Sequence, residues 1–315
     1  MVRIFYHKNN SIEKTDHLGL LANIPKEDLL WVDLQFPTVE EKIKVETVFK
    51  INFDGLKADN ELESNARFYE TEDLVLISSN FITKKENYYE NTPCFFYVKN
   101  NVLITERAAD MKSFAETVKK IKRNPKAFKK GGEILEGILE TKVDLDADFI
   151  EQLAKDIALT SRNLSLKADT NKEDILLKIS EYQEATTLSR ESFIEKQRIV
   201  SALLKCNTFE NKERLKILIK DINAMLEYTS FIFMRLEYLQ NTVLGLINIE
   251  QNRAVKIFTI VAVVFMPPTL IASVYGMNFK SMPELSWSFG YPLAILFIIG
   301  SSLLTLFIFK RKKWL

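Results

Sequence analysis

The rhythm of hydrophobic and polar positions changes twice along this chain. From residue 1 to about 106, short apolar runs alternate with helical segments. Met1–His7 and Leu29-Leu30-Trp31-Val32-Asp33-Leu34 read as strands. The second runs into Pro37-Thr38-Val39-Glu40-Glu41, where Thr38 and Glu41 fit a capping box that opens a helix. Leu74–Ile77 and Cys94–Val98 read as further strands, and Asn100-Asn101 as a tight turn into a strand at Val102–Thr105. The pattern predicts an α/β domain over 1–132, with Gly131-Gly132 punctuating a basic helix. From Glu133 the period becomes helical almost without interruption, giving helical arms over 133–208. One helix is expected to end near Lys167. The next is expected to start from a second capping box at Thr170 and Glu173 and to run to about Lys205.

A third long helix follows, over 209–275. Between Glu210 and Phe265 there is no proline and only one glycine, Gly245, so nothing stops the helix before its apolar end. From Glu210 to Tyr275 it spans about 100 Å. Two stripes can be read on it. Leu215, Leu218, Ile222, Met225, Thr229, Ile232, Leu236, Leu239, Val243 and Leu246 form a heptad seam suited to helix packing. Asn241, Gly245, Asn248, Asn252, Val255, Thr259, Ala262, Met266, Thr269 and Ser273 form a second lane, polar or small almost throughout and uncharged.

The second change of rhythm is the loss of charge. Ile257–Tyr275 and Tyr291–Phe309 are each 19 residues without a charged side chain. Each is long enough to cross a bilayer core of about 30 Å. They predict two transmembrane helices (257–275 and 291–309), an external loop over 276–290 and a basic tail over 310–315. Arg253 and Lys256 flank the first span, and Lys310, Arg311, Lys312 and Lys313 follow the second. Lys280 and Glu284 are the only charges in the loop. The positive-inside rule then puts both termini in the cytoplasm. Met1–His7 is too short an apolar run for a signal peptide, so the N-terminal part is expected to remain cytoplasmic.

Polar groups facing lipid are costly, so the second lane should face other helices or water. Helix–helix contact through small residues is one reading. The three asparagines at its cytoplasmic end favour a water-filled lumen. Two spans cannot enclose a pore, so conduction requires a homo-oligomer with one lane from each copy around an axis.

At the outer end of the lane stands Tyr275-Gly276-Met277-Asn278. Gly276 permits the turn that ends the helix. A ring of Asn278 amides would be a neutral acceptor of hydrogen bonds from the first-shell waters of Mg²⁺, an ion that dehydrates reluctantly. Carboxylates would hold the ion more tightly but slow its release, and neither span contains Asp or Glu. Glu284 could raise the cation concentration at the outer mouth. Met266 or Val255 could form a hydrophobic constriction, and Met266-Pro267-Pro268 allows a bend.

Composition removes other classes. A net charge of +1 gives no field for nucleic acid. The two cysteines and two histidines lack metal spacing, and no Walker A pattern or nucleophile elbow occurs, so no enzyme and no bound cofactor are expected. Asp144, Asp146 and Asp148 alternate but lack an EF-hand's glycine and closing glutamate; they read as a solvated helix start.

The segment from Asn252 to Leu315 resembles the CorA family of magnesium channels. The matching residues are Phe265-Met266-Pro267, Thr269, Ile271-Ala272, Tyr275-Gly276-Met277-Asn278-Phe279, Met282-Pro283-Glu284-Leu285, Gly290-Tyr291-Pro292 and Lys312-Lys313-Trp314-Leu315. The resemblance implies a funnel-shaped homopentamer in the cell's inner membrane, with the first span lining the pore. It implies Asn278 as the selectivity residue and Asn252, Met266 and Thr269 as pore-lining positions. It also implies passage of Mg²⁺, with Co²⁺ and Ni²⁺ as further ions, and closure by cytoplasmic Mg²⁺ at sites that the sequence does not place. Two alternatives remain at this stage. One is a zinc transporter of the same superfamily, whose loop more often reads Gly-Ile-Asn. The other is a membrane-anchored sensor or scaffold that does not conduct.

Overall fold

The computed structural model describes residues 1–9, 11–55, 67–85, 88–166, 171–206, 209, 212–278 and 282–312, the side chains of 84, 85, 88, 89, 165 and 166 excepted. It divides into two units, Met1–Gln240 and Asn241–Leu315.

The first unit is built on one seven-stranded sheet of order β2-β1-β3-β7-β6-β5-β4. The strands are β1 (Val2–Lys8), β2 (Ser11–Thr15), β3 (Leu29–Gln35), β4 (Phe68–Glu70), β5 (Leu74–Lys85), β6 (Tyr88–Lys99) and β7 (Val102–Arg107). β3 and β7 pair in parallel, and the other neighbours are antiparallel. β5 and β6 extend well beyond their apolar centres because the hairpin pairs in register from Leu74↔Lys99 out to Lys85↔Tyr88. Asn100 and Asn101 both adopt positive φ (51° and 68°), the geometry of a type I′ turn between β6 and β7.

Every residue of β3 and β7 is buried, so the middle of the sheet is covered on both faces. One face packs Ile4, Leu34, Phe53, Tyr97 and Ile104 with Val45 and Phe49 from α1 (Val39–Phe49). That helix opens on the expected box: Thr38 Oγ1 accepts from Glu41 N (3.3 Å) and Glu41 Oε2 accepts from Thr38 N (2.9 Å). The other face carries an aromatic cluster, in which Trp31 stacks on Phe5 (4.6 Å between centroids) and packs against Phe114 of α2 (Lys112–Arg123). Within this face lies a fully buried ion pair. Arg107 donates from Nε to Asp33 Oδ1 (3.0 Å) and from Nη2 to Asp33 Oδ2 (2.9 Å), with its guanidinium 4.4 Å from the Phe114 centroid. Thr105 Oγ1 donates to the same carboxylate, and Gln35 Oε1 accepts from Arg107 (3.0 Å), so the pair is saturated with hydrogen bonds.

Three long helices follow: α3 (Gly131–Leu166), α4 (Lys172–Lys205) and α5 (Glu213–Tyr275). α4 starts differently from the expected capping box. Asn171 is its N-cap and accepts from Glu173 N (3.0 Å), while Thr170 lies outside the described residues. Asparagine caps at least as well as threonine, and one position of slip moves the box out of register.

The three alternating aspartates are also placed differently. They lie inside α3, not at its start, and Asp146 is buried. It pairs with Lys142 and accepts from Ser192 Oγ of α4 (3.0 Å), and Lys196 Nζ stands 3.8 Å away. Lys196 is fully buried and donates to Ser192 Oγ (2.6 Å). Burial pulls its pKa from 10.5 to about 8. Between those values the folded chain holds fewer protons than the unfolded one. This lysine therefore weakens the fold below pH 8, and the penalty disappears as the pH rises above that value.

Candidate ion pathway

α5 is one helix of 63 residues, about 94 Å long, and its second half belongs to the second unit. The heptad seam is buried within the single chain: Leu215, Leu218, Ile222, Thr229, Ile232, Leu236, Leu239 and Val243 are all covered. In the first unit α4 supplies polar ties alongside it. Arg190 Nη1 donates to Thr229 Oγ1 (3.1 Å) and Ser230 Oγ (2.6 Å), and Gln197 donates to Asn223 (2.6 Å). The seam is thus used for helix packing inside the protomer. The α5 side chains that remain exposed in this unit include Phe231, Met234 and Tyr238.

In the second unit α5 behaves in the opposite way. All ten residues of the other lane, from Asn241 through Gly245, Asn248, Asn252, Val255, Thr259, Ala262, Met266 and Thr269 to Ser273, are exposed. The face of least exposure carries Ile260, Val264, Pro268 and Ile271, about 150° around the helix from the lane. α6 (Gly290–Arg311) likewise has one less exposed face, with Ala294, Ile298, Ser301, Thr305 and Phe309. Both helices are long and apolar enough to cross a membrane.

The chemistry of the lane follows from its hydroxyls. Thr259 Oγ1 donates to Val255 O (2.8 Å) and Thr269 Oγ1 donates to Phe265 O (2.7 Å). Each threonine thus uses its only proton inside the helix. Its oxygen lone pairs face outward and can accept hydrogen bonds from the waters of a hydrated cation. Pro267 and Pro268 sit inside the helix without ending it. Their missing N–H groups leave the carbonyls of Val263 and Val264 without their usual helical donors.

At the C-terminal end of α5, Gly276 N donates to Ala272 O (2.9 Å) and Met277 N to Val274 O (3.3 Å). Gly276 does not have positive φ; its role is steric, since a Cβ would approach Ala272 O to 3.2 Å. Tyr275 is half-buried, while Met277 and Asn278 are exposed just past the helix end. Phe279, Lys280 and Ser281 lie outside the described residues. Beyond them Pro283–Ser286 forms a 3-10 turn that leaves Glu284 exposed. Gly290 N donates to Trp287 O (3.0 Å), and a Cβ at Gly290 would collide with the Glu284 carbonyl. This close approach folds the loop back onto the start of α6. Trp287, Phe289 and Tyr291 are exposed there, the residue types that anchor a helix at the headgroup level. Arg253, Lys256, Lys310, Arg311 and Lys312 are exposed at the other ends of the two spans, while Lys313 is outside the described residues. Among the described residues no group of three or more His, Cys, Asp or Glu side chains could hold a metal ion. The lane therefore offers amide, hydroxyl and backbone oxygens and no carboxylate cage.

A sheet-based domain, a helix running from it into a two-span unit, and an uncharged polar lane ending at an exposed amide define a two-pass membrane transport protein. The family model described as CorA-like Mg²⁺ transporter protein matches residues 26–311. The chain belongs to this CorA family. The magnesium transport protein CorA of Wolinella succinogenes is 34% identical over 326 residues, covering 100% of both chains. That of Salmonella typhimurium strain LT2 is 34% identical over 294 residues, covering 91% of this chain and 92% of the relative. Among solved structures, the CorA magnesium transporter of Methanocaldococcus jannaschii has the same fold, with a TM-score of 0.83 at 23% identity over 100% of this chain and 99% of that one.

Proposed function

We propose that the protein is a Mg²⁺ uptake channel of the cell's inner membrane, assembled as a homopentamer with both termini in the cytoplasm. The single observation that carries this reading is the uncharged polar lane from Asn241 to Ser273, which continues along one face of α5 into a membrane span. One chain with two spans cannot surround water, so copies must close around that face. Phe231, Met234 and Tyr238, exposed in the first unit, are the kind of surface that such an assembly covers.

In this reading Asn278 ends the lane as a ring of amide oxygens that hold the ion through its waters. Tyr275, Gly276 and Met277 set its position, and Glu284 attracts cations to the mouth. Asn248, Asn252, Thr259, Ala262, Thr269 and Ser273 line the hydrated path, with Val255 or Met266 as the narrow apolar point that closes by dewetting. Mg²⁺ is cargo, and in the cytoplasm a possible regulatory ligand; the chain needs no other cofactor. A divalent ion gains about 4.6 kcal/mol on entering down an inside-negative potential of about 100 mV, so no ATP is consumed. Met277 supports Mg²⁺ over the zinc-transporting alternative.

Purified protein in liposomes should pass Mg²⁺ when an inside-negative potential is imposed. Zn²⁺ should be the weaker substrate, and hexaammine cobalt, sized like hydrated Mg²⁺, should compete. A well-folded oligomer without Mg²⁺ flux would favour the scaffold reading, and preferred Zn²⁺ flux would favour the zinc transporter.

A further inference from the structure

Far from the lane, the first unit contains a cleft of about 380 Å³ where the basic turn between α2 and α3 meets the first turn of α5. Lys126 and Lys129 come from the turn, Arg214 from α5 and Asn101 from the β6–β7 hairpin. Lys130 of the same turn also lines the cleft, and all four cationic side chains are exposed at the mouth. Arg214 is steadied over the Phe128 ring, 5.6 Å from its centroid. Gly132, in the first turn of α3, lets Phe209 form one wall; a Cβ there would stand 2.9 Å from the ring.

One helical turn further along α3 lies Glu136, which also lines the cleft. It is only 6% exposed. Among the described residues its carboxylate has no hydrogen-bond or ion-pair partner, in contrast to the neighbouring Glu133, which accepts from Lys129 N and Lys130 N. The charges that face it are Glu133 and Glu140 from α3 and Arg214 from α5. Burial outweighs Arg214 and raises its pKa from 4.5 to about 7. Between those values the folded chain holds the extra proton, so this acid weakens the fold as the pH rises through 7. A carboxylate held mostly out of water costs stability, and such costs concentrate at binding sites.

The arrangement discriminates between ligands. Four cations at the mouth disfavour a metal ion. A lone acid at the floor disfavours a bare phosphate dianion, which has no donor to offer it. A ligand that suits every part carries negative charge at one end, an aromatic face in the middle and N–H donors at the other end. The volume fits a small molecule of that kind.

We propose that this cleft binds a nucleoside phosphate, with the phosphate on Lys126, Lys129 and Arg214, the base against Phe209, and a base N–H donated to Glu136. Binding would tie the α2–α3 turn to the first turn of α5, the helix that continues into the membrane unit. The proposal does not depend on the ion that the protein carries.

The test is calorimetry on the purified full-length protein with AMP, adenosine and inorganic phosphate. AMP should bind roughly tenfold or more tighter than phosphate, and it should raise the melting temperature. The pair Lys126→Ala and Lys129→Ala should weaken AMP about tenfold. Glu136→Met should weaken AMP by a similar factor while leaving phosphate binding unchanged or tighter. Phe209→Ala, which leaves the acid in place, should likewise weaken AMP but not phosphate. Elution as the native oligomer shows that each variant is folded. Absence of AMP binding at millimolar concentration, phosphate binding as tight as AMP, or wild-type AMP affinity in both Glu136→Met and Phe209→Ala would overturn the proposal.

Discussion

Asn278→Ala is expected to remove Mg²⁺ uptake almost completely, by well over tenfold (more than about 1.4 kcal/mol of barrier), in protein that keeps its oligomeric state and melting temperature. Asn278 is exposed just beyond the last turn of α5 and is the final amide after the lane of Asn241, Asn248 and Asn252. Alanine offers no oxygen to the waters around Mg²⁺, and in an oligomer the loss is repeated in every copy. Because the side chain is exposed, stability should be unaffected. Asn278→Asp is the informative companion. A ring of carboxylates should bind the ion more tightly and release it more slowly, so apparent affinity should rise while maximal flux falls. Both are read from initial rates of Mg²⁺ entry into liposomes. Wild-type rates in Asn278→Ala would show that the ion is selected elsewhere.

Arg107→Met should produce the largest loss of stability in the first unit, about 3–5 kcal/mol, because it leaves Asp33 buried without its cation. The pair is fully enclosed and joins β3 to β7 across 74 residues of sequence. Arg3 also pairs with Asp33, at 3.8 Å and less buried, but without the two-pronged hydrogen bonding of Arg107, so it offsets only part of the loss. The double variant Asp33→Leu with Arg107→Met should recover most of the loss, since both charges are then gone. Chemical denaturation of the three proteins, followed by circular dichroism, gives the comparison. Equal stability of the single variant and the wild type would mean that water reaches Asp33.

What could be read from the sequence, and what could not, divides by the range of the interaction. The lane from Asn241 to Ser273 was legible because helical periodicity alone places those residues on one face. So was the Thr38–Glu41 box, whose partners are three residues apart. The asparagine turn was legible because asparagine tolerates the positive φ that Asn100 and Asn101 adopt. The heptad seam was visible as a seam, but the sequence does not say which helix covers it; the structure buries it within the chain. Asp146 and Glu136 were missed for the same reason. Asp146 looked like one of three solvated acids until Ser192, 46 residues away, was brought against it. Glu136 becomes distinctive only when Phe209 and Arg214 close the cleft around it.

The central claim is that one face of α5 lines a water-filled path for Mg²⁺. Its most direct test is a cysteine scan read by a membrane-impermeant, positively charged thiol reagent. The native thiols, Cys94 and Cys206, are both buried and can be replaced by serine as background. Single cysteines at Thr259, Ala262, Thr269 and Ser273 are compared with cysteines at Ile260, Val264 and Ile271 on the opposite face. The account predicts that the reagent blocks Mg²⁺ flux at the first four positions, that Mg²⁺ slows the reaction there, and that the other three do not react. Reaction at both faces alike, or block only at Ile260, Val264 and Ile271, would contradict it.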